Sequence, residues 1–193
     1  MNELGELLAE VRACTICAPT LPLGPRPVLR AKESARILII GQAPGTRVHE
    51  SGVPWDDASG DRLRDWMDVD KSSFYDDGKI AIVPMGFCYP GKFDSGGDLP
   101  PRSECAQTWH GKLLPLLANV KMTLLAGMYA QAYILGSKRK KNLTATVQAW
   151  QDYGPDIMPL PHPSWRTMGW QKRNVWFDRD LLPALRARIS DIL

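Results

Sequence analysis

The sequence predicts a single α/β domain over residues 1–193, with a central four-stranded, mainly parallel sheet flanked by helices. Three observations carry that prediction. Apolar runs without polar alternation recur at 36–41, 79–88, 121–126 and 156–160, as strands covered on both faces require. Segments with helical spacing separate them. Glycine, proline and small polar residues follow the runs, in GQAPG at 41–45, PGKFDSGGDLPP at 90–101 and PHPSWR at 161–166. Ligands of such sheets sit beyond the carboxyl ends of the strands, so three loops become candidates for the working face: GQAPG, the Pro84–Gly97 region and PHPSWR.

Taken in order, Leu4, Leu7, Leu8 and Val11 recur at helical spacing and predict a helix over 3–13 that stops near the first cysteines. The segment APTLPLGPRPVL carries too many prolines for a helix and reads as an extended crossing. Arg36–Gly41 is the first strand, and Asp57 or Ser59 can cap a helix over 60–68. Lys79–Cys88 is the second strand. Ser103 is positioned to cap a helix running to about 118, Lys121–Ala126 is the third strand, and a helix follows over 128–135. A short helix over Thr144–Trp150 precedes the fourth strand, Asp156–Leu160. Val175–Leu193 closes the chain as an amphipathic helix. No internal repeat is visible.

Composition narrows the function classes. Lys and Arg number 24 against 21 Asp and Glu, a net charge of +3 that permits a nucleic-acid partner without demanding one. The longest apolar runs, such as Ile37–Ile40 and Leu124–Ala126, are far shorter than a membrane span, and the opening MNELGELLAEVRAC is acidic where a signal peptide is basic. A soluble cytoplasmic protein, acting as a monomer, is the expectation. A nucleotide-binding domain of the P-loop kind would carry G-x4-GK[ST], which is absent.

Taken alone, GQAPG is a tight strand exit. Its neighbourhood raises it. His49, Glu50, Gly52, Pro54, Trp55, Asp56, Asp57 and Gly60 form a polar, aromatic, glycine-rich run longer than a structural crossover needs. PHPS repeats the design, fixing His162 between two prolines at a strand end. The chain has only three histidines, and two fall in candidate ligand loops. Cys14 and Cys17 form a C-x2-C pair, while Cys88 and Cys105 are separated by sixteen residues. In a reducing compartment that pattern leaves zinc, an iron–sulfur cluster or four unrelated thiols.

The order GQAPG, GVPW, HPS, together with the C-x2-C and C-x16-C cysteines, resembles the uracil-DNA glycosylase superfamily over nearly the whole chain. It is most similar to the iron–sulfur branch, in which a GEAPG turn, a Pro-Phe pair, an apolar LG-x2-A segment and an HP-containing loop occur in the same order. The resemblance implies a uracil-DNA glycosylase-like fold and a monofunctional enzyme that hydrolyses the N-glycosidic bond of a flipped uracil, or a related damaged pyrimidine, in DNA. No lysine sits in the GQAPG or HPS motifs to form a Schiff base, so no lyase step is expected. The four cysteines would hold a [4Fe–4S] cluster that braces the DNA-facing loops.

The resemblance also assigns roles. Gln42 and Ala43 would offer backbone N–H groups to a uracil carbonyl, with Gly41 beside them in the substrate-binding turn, and Trp55 would stack on the base, unless it merely packs the core. His162 would donate a hydrogen bond to the oxygen on which charge collects. Ser164 stands behind it. Trp165, Arg166 and Met168 would fill the space left by the flipped base. Arg166, Lys172, Arg173 and the KRKK run at 138–141, including Lys138 and Lys140, would meet phosphates, the run being equally readable as solvated surface.

Two positions depart from the branch. Gln42 replaces a glutamate that is a candidate for activating water, and an amide cannot be a general base. Asp56, Asp57, Glu50 and His49 are the replacements the sequence offers. Pro84 stands where the branch has a base-reading asparagine, leaving main chain near Met85 and Gly86, or a residue such as Asn142, to read the base edge. Those departures keep a second reading open, a non-catalytic binder of altered bases on the same fold.

Overall fold

The computed structural model describes residues 2–193. The Asn2 side chain accepts the Gly5 N–H and starts α1 (Glu3–Arg12), whose Leu4, Leu8 and Val11 are buried. Strand β1 (Ile37–Ile40) is followed by three helices, α2 (Thr46–Ser51), α3 (Ala58–Met67) and α4 (Lys71–Phe74). Strand β2 (Ile80–Ile82) leads to α5 (Ser103–Leu113), and β3 (Met122–Ala126) leads to α6 (Met128–Leu135) and α7 (Leu143–Gln148). Strand β4 (Ile157–Leu160) precedes α8 (Thr167–Arg173), a π-type turn at Phe177–Leu181 and α9 (Leu182–Ile192).

The strands form one sheet in the order β2-β1-β3-β4, and every pair is parallel. Alternating residues serve opposite faces. Ile37, Ile39, Ile82, Leu124 and Leu160 join Trp66, Phe74, Phe177 and Leu185 on one side. Leu38, Ile40, Ala81, Val83 and Leu125 join Leu4, Leu8, Leu113 and Ala130 on the other. Both faces are therefore dry, which is why the strands read as continuous apolar runs. The proline-rich crossing seals the edge of β2: Arg30 and Ile82 exchange both backbone hydrogen bonds, at 3.0 and 2.7 Å. No helix among the described residues is long and apolar enough to cross a membrane.

Several boundaries differ from expectation. The second strand ends at Ile82 because Pro84 has no N–H to donate, although the segment stays zipped to the exit of β1 through Val83 to Ile39 (3.0 Å), Met85 to Gly41 (3.0 Å) and Gly86 to Gln42 (2.9 Å). A short helix, α2, begins directly after GQAPG, where a long loop was expected. Ser103 is the first residue of α5 instead of its cap. Asp57, and not Ser59, caps α3, accepting the Gly60 N–H at 2.8 Å. The loop expected at PHPSWR does not continue past Arg166: the chain folds from Thr167 onward into α8.

Candidate functional site

The order β2-β1-β3-β4 puts the topological switch point between β1 and β3, and an open cleft of about 520 Å3 lies beyond the strand ends there. Gly41–Gly45 enters it from β1, Pro84 from beyond β2, and His162 from beyond β4.

Trp55 forms a wall of this cleft. Its ring centroid lies 5.5 Å from that of His162, with the planes 36° apart. A Cβ on Gly41 would lie 2.7 Å from the indole Cζ2, so only glycine lets the ring lie against the turn. Trp55 itself has φ 58°, the left-handed region that side chains avoid. That conformation is held from outside. Its carbonyl accepts from the Tyr75 hydroxyl (3.1 Å) and from Arg64 Nη1 (3.4 Å), and Asp61 pairs with the same guanidinium.

His162 is fixed through its backbone: its carbonyl accepts from the Ser164 N–H (2.8 Å) and from the Thr167 hydroxyl. Burial pushes its imidazole pKa down, against the opposing pull of Asp57. At neutral pH the ring is therefore uncharged, one nitrogen carrying a proton and the other free to accept. Gly127, at φ 99°, opens α6 beside it; a Cβ there would stand 3.4 Å from the His162 Cβ.

Gln42 does not point its amide at open solvent. Its Nε2 donates to the Leu99 carbonyl at 3.3 Å, tying the GQAPG turn to the loop before α5. Among the described residues, the N–H groups of Gln42 and Ala43 have no main-chain partner beyond the sheet ladder, which leaves them for a ligand.

Of the four replacements for the missing glutamate, only Asp57 lines the cleft. Asp56 acts electrostatically on Tyr75, Glu50 is exposed, and His49 is buried on α2 near Tyr89. The base-reading candidates fare differently too. The Met85 and Gly86 N–H groups are already bonded to Gly41 and Gln42, and neither residue lines the cleft. Asn142 caps α7 by accepting the Ala145 N–H at 2.8 Å. Pro84 lines the cleft, with its carbonyl bonded at 3.0 Å to Nε2 of the fully buried His110.

Around the mouth, Ser164, Trp165 and Arg166 line the opening. Trp165 is 73% exposed, with the Arg166 guanidinium 5.5 Å from its ring. Met168 is exposed on α8, and Lys172 and Arg173 occupy its last turn. Lys138 and Lys140 lie away from the cleft lining, and Lys140 pairs with Asp152 at 2.6 Å.

Two lining residues carry no signal in the sequence beyond their place in a polar loop: Lys92 and Asp98. Asp98 is open to solvent through the cleft mouth, yet the surrounding protein atoms raise its pKa. Lys92 lowers it, Asp57 raises it and Arg166 lowers it, in that order of size.

All four cysteines line a second, smaller cavity of about 20 Å3, joined to the cleft by the Pro84–Cys88 segment. None of them is in a disulfide. Burial raises the pKa of Cys17 and Cys88 and pushes Cys105 up to about 12, although the Phe87 N–H donates to its Sγ at 3.3 Å. No group of three or more His, Cys, Asp or Glu side chains among the described residues is close enough to hold a single metal ion. A tetrahedral zinc would draw its sulfurs to within about 3.8 Å of one another. A four-iron cluster takes four cysteine thiolates and holds them farther apart than a single ion does, so the donor set on this cavity is of the kind a cluster uses.

A π wall, a neutral histidine and an open backbone turn thus meet at the carboxyl ends of a parallel sheet, with an aromatic and basic rim outside. The family model described as Uracil DNA glycosylase superfamily matches residues 30–186, a span that holds the sheet, Cys88, Cys105 and every cleft-lining residue except Val28, but not Cys14 or Cys17. This chain belongs to the uracil DNA glycosylase superfamily.

Proposed function

We propose that the protein is a monofunctional DNA glycosylase that hydrolyses the N-glycosidic bond of an extruded uracil, or a related damaged pyrimidine, and leaves an abasic site. The carrying observation is the placement of Trp55 and His162, ring centroids 5.5 Å apart, over a turn with unpaired backbone donors. A base stacked on the indole would present its carbonyls to the Gln42 and Ala43 N–H groups. As the bond to the sugar opens, charge builds on the base, and a neutral imidazole N–H stabilises it without first needing protonation. Trp165 and Arg166 would occupy the gap left in the stack and meet the backbone. One molecule suffices for this, since all of these groups come from one chain.

Gln42 and Pro84 support a second reading, a binder of altered bases that does not turn over. Replacing His162 separates the two. Incubation with end-labelled duplexes bearing uracil, hydroxymethyluracil or hypoxanthine, then alkali, should give strand breaks that fall about 10²-fold or more with His162→Ala, while binding persists. Tight binding with no breaks on any lesion would establish the binder.

We further propose that Cys14, Cys17, Cys88 and Cys105 hold a [4Fe–4S] cluster. Supporting it are four thiols on one cavity and the C-x2-C, C-x16-C spacing. Its role here would be to brace the Pro84–Cys88 segment that borders the cleft. Anaerobic purification should yield brown protein with about four irons and four acid-labile sulfides. A colourless, iron-free preparation would remove the cluster from the account.

A further inference from the structure

Hydrolysis needs a group to take a proton from water, and the turn residue that could do so in a GEAPG sequence is here an amide. The structure shows what that amide does instead: Gln42 Nε2 holds the Leu99 carbonyl, one residue from Asp98. We infer that Asp98 is the carboxylate that takes the proton from the hydrolytic water, and that Gln42 is the residue that positions its loop.

Four observations carry this. Asp98 lines the cleft, and its Oδ2 lies 3.5 Å from where a Cβ on Gly45 would stand, so the carboxylate borders the GQAPG turn itself. Its loop is a closed, pinned structure. Leu99 donates to Gly91 (2.9 Å), Phe93 to Gly97 (3.0 Å) and Gly96 to Phe93 (2.9 Å). Among the described residues, the Asp98 carboxylate accepts no hydrogen bond, so its lone pairs are free for water. The other acid of the cleft, Asp57, already accepts the Gly60 N–H as the cap of α3. The groups that face Asp98 are Lys92, Asp57 and Arg166, and the partial desolvation that raises its pKa moves it toward the range of a useful base.

The step balances without a further reagent. The water oxygen bonds to the sugar C1′ as the C1′–N bond breaks, and the base leaves with the bonding pair. One water proton passes to Asp98 and then to solvent. The departing anion, stabilised by the His162 N–H, takes a proton from solvent, giving the free base and an abasic sugar.

This inference rests on the glycosylase reading, and the experiment is arranged so that the two fail separately. Wild type, Asp98→Asn and Gln42→Ala are compared on a uracil duplex under single-turnover conditions across pH, with binding to a non-cleavable 2′-fluoro-uracil duplex measured in parallel. Thermal melting confirms that the variants fold. Asp98→Asn should cut the cleavage rate about 10²-fold or more and abolish the decline of rate at acid pH, while binding changes by less than about threefold. Gln42→Ala should slow cleavage less and keep the acid decline, because the carboxylate is displaced but present. Cleavage by wild type with Asp98→Asn equally fast, or with an unchanged pH profile, overturns the inference and leaves the glycosylase standing. No cleavage by wild type on any lesion overturns both.

Discussion

A Cβ on Gly60 would lie 1.7 Å from the carbonyl oxygen of Trp55, so the first turn of α3 and the strained tryptophan occupy one another's space. The left-handed backbone of Trp55 is tolerated because Gly60 lets its carbonyl drop onto α3, where Tyr75 and Arg64 hold it. Gly60→Ala must therefore expel Trp55 or unwind the start of α3. We expect a loss of about 2 kcal/mol or more and a glycosylase rate at least tenfold lower, read by chemical denaturation and by cleavage. A variant as stable and active as wild type would show that Trp55 does not depend on this contact.

Stability should fall on mild acidification. Burial depresses the pKa of both His162 and His110, His110 being partly offset by its bond to Pro84, so each is neutral when folded. Above the ordinary imidazole value of 6.5 their contribution is unaffected; as pH falls below it, the unfolded chain takes up protons that the folded one resists, and stability is lost. Urea midpoints measured from pH 7.5 to 5 should decline. His110→Phe should lower the baseline, because the Pro84 carbonyl loses its donor, and flatten the decline; an unchanged slope would mean that His110 titrates normally.

Lys92 tests the single-step chemistry. It is the lysine that lines the cleft, and an amine attacking an abasic sugar would form a Schiff base. Lys92 lies on the rim, its main chain paired with that of Asp98 in an isolated antiparallel bridge, and no trapped adduct is expected when borohydride is added during turnover. A covalent protein–DNA band that disappears with Lys92→Ala would make the enzyme bifunctional.

The rim should distinguish duplex from single strand. Trp165 is exposed and capped by Arg166, and its use as a wedge matters only where an extruded base leaves a gap between paired neighbours. Trp165→Ala should reduce kcat/KM on duplex substrate about tenfold more than on single-stranded substrate. Arg166→Gln should flatten the dependence of log binding constant on log salt by about one unit. Equal losses on both substrates would make Trp165 a plain binding residue.

The parallel sheet was legible because burial on both faces writes itself as unbroken apolar runs, and all four strands lie where ILII, IAI, MTLLA and IMPL sit. The cleft was legible through GQAPG and PHPS, which end two of those strands. Of the short helices, the one over Thr144–Trp150 was legible and is seen at Leu143–Gln148, but two others were not. Thr46–Ser51 and Thr167–Arg173 span too few turns to show a period; the first lies between the glycines of GQAPG and Gly52, and the second carries its own Gly169 and follows PHPSWR, so both read as loop. Asp98 was invisible for another reason. It belongs to a loop whose shape is set by Gln42 reaching across 57 positions, a tertiary hydrogen bond that no local pattern announces. The same holds for Met85 and Gly86, whose donors look free in sequence and are used by β1 in space.

The order of the strands has a consequence for biosynthesis. Gln42 and Trp55 emerge from the ribosome early, whereas β4, which brings His162 to them, is the last strand made and pairs with β3 at one edge of the sheet. Until Ile157–Leu160 docks, a nascent chain has a tryptophan without its histidine and an open strand edge beside the switch point. On the proposed function, the growing polypeptide could not act on DNA before its sheet is complete, and chains terminated before residue 157 are expected to be aggregation-prone and inert.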